Sequence, residues 1–209
     1  MSAISYEYLD KVKKLYNDDK KSMLEIASIF GVSVDSVVYF MRKNNIKRRT
    51  PAQTFKIKFN EKPLSYLRKV PESDYEKLLE SMGVMLYWAE GYKTNKSSGV
   101  DFANSDPSMI LLFITFLRKC FCINEQRLRI FLYMYSDQNS KDLIRFWSSL
   151  TAIPVSQFSK PYIKTSREIL TNKVKMKYGL IHIRYNDIRL LSELKKLIES
   201  YKSRYAPVV

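Results

Sequence analysis

Residues 23–44 read MLEIASIFGVSVDSVVYFMRKN, from Met23 to Asn44, and their spacing predicts two short helices wedged together. Ile26, Phe30, Val32, Val37 and Phe40 fall at the 3.6-residue helical period, so each helix has an apolar face for the other to cover. Ala27 is small where the helices must cross. Gly31 stands between them, where the turn calls for a positive φ that a Cβ resists. Ser33 is placed to cap the second helix, and Asp35 puts an acid in its first turn, where the helix dipole favours one. Working outward, Tyr8, Leu9, Val12 and Leu15 predict a preceding helix, closed by the polar run Asn17-Asp18-Asp19. The expectation is an all-α domain over residues 1–54.

Ile46 is followed by Lys47-Arg48-Arg49-Thr50-Pro51, a basic arm directly after the third helix. With that arm, the pattern resembles the helix-turn-helix of resolvase and invertase DNA-binding domains. The resemblance implies a third helix lying in the major groove of duplex DNA, with Ser33, Asp35, Ser36, Tyr39, Arg42 and Lys43 on its outer face. Lys47, Arg48 and Arg49 would then enter the minor groove. Arg42 and Lys43, near the end of the helix, suit phosphate contacts equally well, and the alternative for the whole set is a solvated helix face.

From Arg42 to Lys69 there are ten basic residues against the single acid Glu61. Pro51, Pro63 and Pro71 argue against a long helix, so residues 55–73 are expected to be an exposed, mobile basic linker. It either tracks the phosphate backbone or is simply solvated, and the sequence does not choose between the two.

Residues 74–209 alternate helix and strand. Ser73-Asp74 starts a helix carrying Leu78, Leu79, Met82, Leu86 and Tyr87, with Gly91 as its closing residue. A strand over 99–104 follows, and Asp106-Pro107 caps the next apolar helix. Residues 128–135 form a strand rich in β-formers, 141–150 a helix, 178–185 another strand, and 188–201 a last amphipathic helix. That order predicts an α+β domain with helices packed on a small, mainly antiparallel sheet.

Gly83-Val-Met-Leu-Tyr-Trp-Ala-Glu-Gly91 resembles a degenerate LAGLIDADG motif, as in homing endonucleases, with Leu86, Ala89, Glu90 and Gly91 on its leucine, small, acidic and glycine positions. It departs at Met85, where a small residue usually lets two such helices touch, and at Trp88, a frequent acid position; Gly83 offers closeness one turn earlier. The resemblance spans most of residues 76–203 in element order. It implies a homodimer paired through the 76–91 helix, with two copies of Glu90 holding Mg²⁺ for phosphodiester cleavage. It also implies a saddle of strand residues on DNA, for which Arg129, Tyr133, Tyr135, His182, Arg184 and Tyr185 are candidates. Lys164, Lys173, Lys175 and Lys177 would bind phosphate, or one of them (Lys164) would assist the chemistry. The plainer alternatives are a helix end at Glu90, a sheet-face residue at His182 and a solvated strand edge at Lys173–Lys177.

The net charge of +15 over 209 residues favours a polyanionic partner. No apolar run nears the ~20 residues of a membrane span, and the start lacks a signal-peptide profile. Cys120 and Cys122 with one distant histidine are too few for a disulfide framework or a zinc site, so buried free thiols are expected. No nucleotide-binding glycine motif occurs. The expected protein is soluble and cytoplasmic and binds double-stranded DNA, either as a Mg-dependent endonuclease or as a non-catalytic transcriptional regulator built from the same two domains. A recombinase accessory protein is a third and weaker class.

Overall fold

The computed structural model describes residues 3–94, 96–164 and 176–205. The chain divides into two compact units, Met1–Pro63 and Leu64–Val209, and together they make an α+β protein.

The first unit is all helical: α1 (Leu9–Lys13), α2 (Met23–Phe30), α3 (Val34–Lys43) and α4 (Pro51–Glu61). A π-helical turn over Lys14–Asp18 extends α1 and brings Tyr16 into the core beside Val12. Ile26, Ala27, Val37, Phe40, Met41 and Ile46 complete that core. Gly31, at φ 62°, ends α2, and α2 and α3 are bent through 104° at the break. Of the apolar positions expected in the wedge, Phe30 and Val32 are only partly buried, while Met41 is fully covered.

Ser22 and Glu25 close a capping box at the start of α2: Ser22 Oγ accepts from the Glu25 N–H (3.2 Å) and the Glu25 carboxylate from the Ser22 N–H (2.8 Å). Those bonds to Ser22, with one from Lys21, hold the Glu25 carboxyl down at about 2. A depressed carboxylate contributes stability that is present above its unfolded value, about 4.5, and is lost as pH falls towards the folded value. Its side chain is 51 % exposed, so screening limits the effect to about 1 kcal/mol at most. Thermal melts of the first unit's helices should therefore weaken from about pH 5 to about pH 2, and Glu25→Gln should flatten that slope. An unchanged slope in the variant would contradict the assignment.

The second unit is built from α5 (Asp74–Glu90), β1 (Val100–Asn104), α6 (Pro107–Phe121), β2 (Leu128–Tyr135), α7 (Ser140–Thr151), β3 (Tyr162–Lys164), β4 (Leu180–Tyr185) and α8 (Ile188–Tyr205). The sheet order is β1-β4-β2-β3; β4 pairs antiparallel with both neighbours, and β3 pairs parallel with β2. The sheet is therefore mixed, and its short edge strand β3 was not anticipated. Val100 and Phe102, Leu128, Ile130, Leu132 and Met134, and Ile181, Ile183 and Tyr185 turn one face toward the helices, where Phe113, Phe116, Phe121 and Trp147 fill the core.

Residues 55–73 do not form the expected linker. The first part is α4, started by a Thr50–Gln53 capping box with Pro51 at its first position. From Leu64 on, the chain lies along the second unit. Leu67 and Lys69 donate backbone hydrogen bonds to Phe121 and Cys120 (2.9 Å each), and Ser65 bonds Asp187 (2.7 Å). Arg68 pairs with the buried Glu80. The local excess of charge concealed a strap whose backbone donors find fixed acceptors.

Two readings of α5 are also corrected. Leu79, Gly83, Val84 and Tyr87 face the core, whereas Leu78 and Met82 are 60 % and 43 % exposed. Gly91 is extended (φ −77°) rather than left-handed; it is a glycine because a Cβ there would meet the Tyr87 ring at 2.4 Å. Cys120 is buried, and burial pushes its thiol up to about 11, while Cys122 is only half-buried; both are free. Among the described residues no single helix is long and apolar enough to cross a membrane; the bent pair α2–α3 passes only on length and composition.

Candidate nucleic-acid interface

Burial of Val37, Phe40 and Met41 fixes the rotation of α3 and sets which side chains point outward. Asp35, Tyr39, Arg42 and Lys43 are exposed on that outer side. The Arg42 guanidinium lies 5.9 Å from the centre of the Tyr39 ring, so the two form one amphipathic patch. Ser33 and Ser36 belong to the helix start instead: Ser33 Oγ accepts from the Ser36 N–H (3.2 Å), and their hydroxyls are 2.9 Å apart.

The basic arm is shorter than expected. Lys47 and Arg48 are exposed and border a shallow depression with Arg42, Asn45 and Ile46. Arg49 turns inward. Its guanidinium lies 4.1 Å from the centre of the Tyr16 ring and donates to the Lys20 (2.9 Å) and Lys21 carbonyls, while its N–H bonds the Tyr16 hydroxyl (2.8 Å). Arg49 joins the chain after α3 to the α1 side of the domain, and those bonds take it away from a minor-groove role.

In the second unit, the sheet face turned away from the helices carries Asp101, Arg129, Phe131, Tyr133, His182 and Arg184. The register places Asp101 opposite Arg184 and Arg129 beside it on β2. Asp101 joins two strands, 2.8 Å from His182 Nδ1 and 2.7 Å from Arg184 Nε. The Arg184 guanidinium sits 4.2 Å from the Phe131 ring centre, and the His182 ring lies between Tyr92 (5.5 Å) and Tyr133 (4.9 Å). His182 is thus a sheet-face residue held by Asp101. A cleft of about 460 Å³ opens beside this network, with Lys96, Arg127, Arg129 and Arg184 around the single acid Asp101.

Tyr135 is half-buried at the end of β2, but Tyr185 is fully buried with its hydroxyl on Ser65, and so leaves the expected DNA face. Arg129 Nη1 is held by the Gln126 (2.7 Å) and Leu128 (2.6 Å) carbonyls. Lys164 ends β3, and Lys177 is exposed with its ammonium 5.0 Å from the Tyr178 ring centre. Lys173 and Lys175 lie outside the described residues. Sequence reading missed Lys96, Asp101, Arg127 and Phe131; strand parity around Phe102, Ile130, Ile181 and Ile183 was the signal that puts Asp101, Phe131 and His182 on the open face.

Glu90 is exposed at the end of α5, within electrostatic reach of Lys93. Gly91 then bridges to Phe102 and the Tyr92 N–H donates to the Asp101 carbonyl (2.9 Å), so the helix end feeds directly into the charged sheet face. Among the described residues no group of three or more His, Cys, Asp or Glu side chains is placed to hold a metal ion. Both surfaces carry more cations than acids, a charge balance that suits a polyanion. No family model, curated protein or solved structure matches the chain.

Proposed function

We propose that the protein binds double-stranded DNA sequence-specifically as a homodimer, with α2–α3 acting as a helix-turn-helix and the second unit as a LAGLIDADG-like body. The observation that carries this reading is the exposed Tyr39–Arg42–Lys43 face of a helix whose opposite face is locked by Val37, Phe40 and Met41. The 104° bend supports it, since helices of this motif cross at about 90–120°. Lys47 and Arg48 continue the positive surface toward phosphates, and the sheet face adds Lys96, Arg127, Arg129 and Arg184.

The dimer is supported by the outward side of α5. Tyr75 (63 % exposed), Leu78 (60 %), Met82 (43 %) and Met85 (47 %) form an apolar stripe at helical spacing, continued by Ala89. A two-fold pairing of two such stripes would be isologous and would bring the adjacent Glu90 of each chain toward the axis. Gly83 takes no part in it, since it faces Phe116 of its own chain.

Cleavage is the further part of the reading. One chain offers Glu90 as a lone exposed carboxylate, a poor setting for Mg²⁺; the donor set fits the ion only as two copies of Glu90 across the dimer axis. There the bound ion would supply water activation and charge neutralisation at the phosphodiester. Without that pairing the same surfaces make a non-catalytic transcriptional regulator, favoured by the single carboxylate per chain.

The test begins with duplexes selected from a random library and incubated with protein and Mg²⁺. Strand scission that disappears in Glu90→Gln, with binding retained, is the expected result for the endonuclease. Selection without scission reduces the function to regulation. Failure to select any sequence overturns the reading altogether.

A further inference from the structure

A second basic groove lies in the helix layer of the second unit, between the end of α5 and α8. It encloses about 370 Å³, within the range of small-ligand sites, and is lined by Trp88, Lys93, Lys195, Ile198, Glu199 and Lys202. Ile198 is buried and makes its floor, and Trp88 is a half-buried wall. Lys93 is fixed in place, its Nζ donating to the carbonyls of Tyr87 (3.1 Å) and Gly91 at the helix end. The Lys202 ammonium sits 5.4 Å from the Trp88 ring centre and 2.8 Å from the Glu199 carboxylate. Lys195 has no hydrogen bond or ion pair among the described residues.

Three lysines and one apolar wall therefore line the same groove, with one lining carboxylate that is already bonded to Lys202. Burial first, and then the charges of Lys202 and Lys195, lower the Lys93 amine below the usual lysine range against the opposing pull of Glu90. Cations gathered this way repel one another, and an anion between them removes that cost. Lysine suits phosphate as a compact point charge, and Trp88 offers apolar surface to the organic part of an ester.

We propose that this groove binds a phosphate group, held by Lys93, Lys195 and Lys202 against Trp88. The phosphate comes either from a small phosphorylated molecule or from the backbone of a nucleic-acid strand other than the duplex read by α3. Duplex recognition through α3 does not depend on the site.

Calorimetry of the full chain, with tryptophan fluorescence as a second readout, separates the sources by using inorganic pyrophosphate in one arm and a single-stranded dT decamer in the other. Saturable binding is expected in at least one arm, weakened roughly tenfold by Lys195→Gln and again by Lys202→Gln, the weight of one charged contact each. Pyrophosphate binding, alone or with the decamer, assigns the site to small phosphates; binding of the decamer alone assigns it to a strand. Lys195→Gln should keep the wild-type melting temperature and duplex preference, so failure here is distinct from failure of duplex recognition. No saturable binding in either arm, or an affinity unmoved by both substitutions, overturns the proposal.

Discussion

Gly83→Ala is expected to destabilise the second unit by about 2 kcal/mol net, a fall in melting temperature of roughly 8 °C. The added Cβ would stand 2.1 Å from Cγ of Phe116. That ring is fully buried and hemmed in by Phe113 (6.0 Å) and Phe121 (5.4 Å), so it has nowhere to swing. Overpacking of this kind costs about 3 kcal/mol, and alanine's better helix propensity returns about 1. Met85→Ala, on the exposed stripe of the same helix, should leave the melting temperature of the monomer almost unchanged and weaken self-association instead. Analytical ultracentrifugation beside thermal melts distinguishes the two. A Gly83→Ala chain of unaltered stability that fails to dimerise would place the glycine at the dimer contact and refute the inward packing.

Arg42→Ala is expected to remove about 1–3 kcal/mol of discrimination between the preferred duplex and one altered at a single base pair. Arg42 and Tyr39 form one outward patch on a helix that cannot rotate, because Val37, Phe40 and Met41 lie fully covered on its other side. Lys47→Ala should behave differently. It should weaken every duplex alike and shallow the salt slope by about 0.9, the signature of one lost phosphate contact. Competition binding at several salt concentrations reads both quantities. Identical behaviour of the two variants would mean that α3 touches only phosphates.

The helices of the first unit were legible because their signals are local. Gly31 at positive φ, the Ser33 cap and the period of Ile26, Val37 and Phe40 each specify geometry within a few residues. α4 carried a local signal too, in Thr50-Pro51-Ala52-Gln53, but the surrounding basic run drew the reading toward a linker. The fate of Arg49 was not legible, since its partners Tyr16, Lys20 and Lys21 are distant in sequence. The same applies to the 64–70 strap, whose backbone donors meet acceptors on α6.

In the second unit the alternation of β2 and β4 separated core from open face, and consistent use of it would have assigned Tyr185 to the core with Ile181 and Ile183. The network of Asp101, His182 and Arg184 required the register of β1 on β4, which pattern alone does not supply. Likewise the 3.6-residue period marked α5 as amphipathic without telling which apolar residues face inward. Gly83 decided that, because only a position without a side chain admits Phe116.

The central claim is that the outer face of α3 reads a duplex while nearby cations neutralise its phosphates. Selection from a random duplex library, followed by salt titration of the selected sequence against a scrambled one, tests it most directly. The expected result is an enriched motif whose preference collapses in Arg42→Ala, with log Kd rising linearly with log salt for both duplexes. Enrichment of no sequence, or an affinity indifferent to ionic strength, would contradict it.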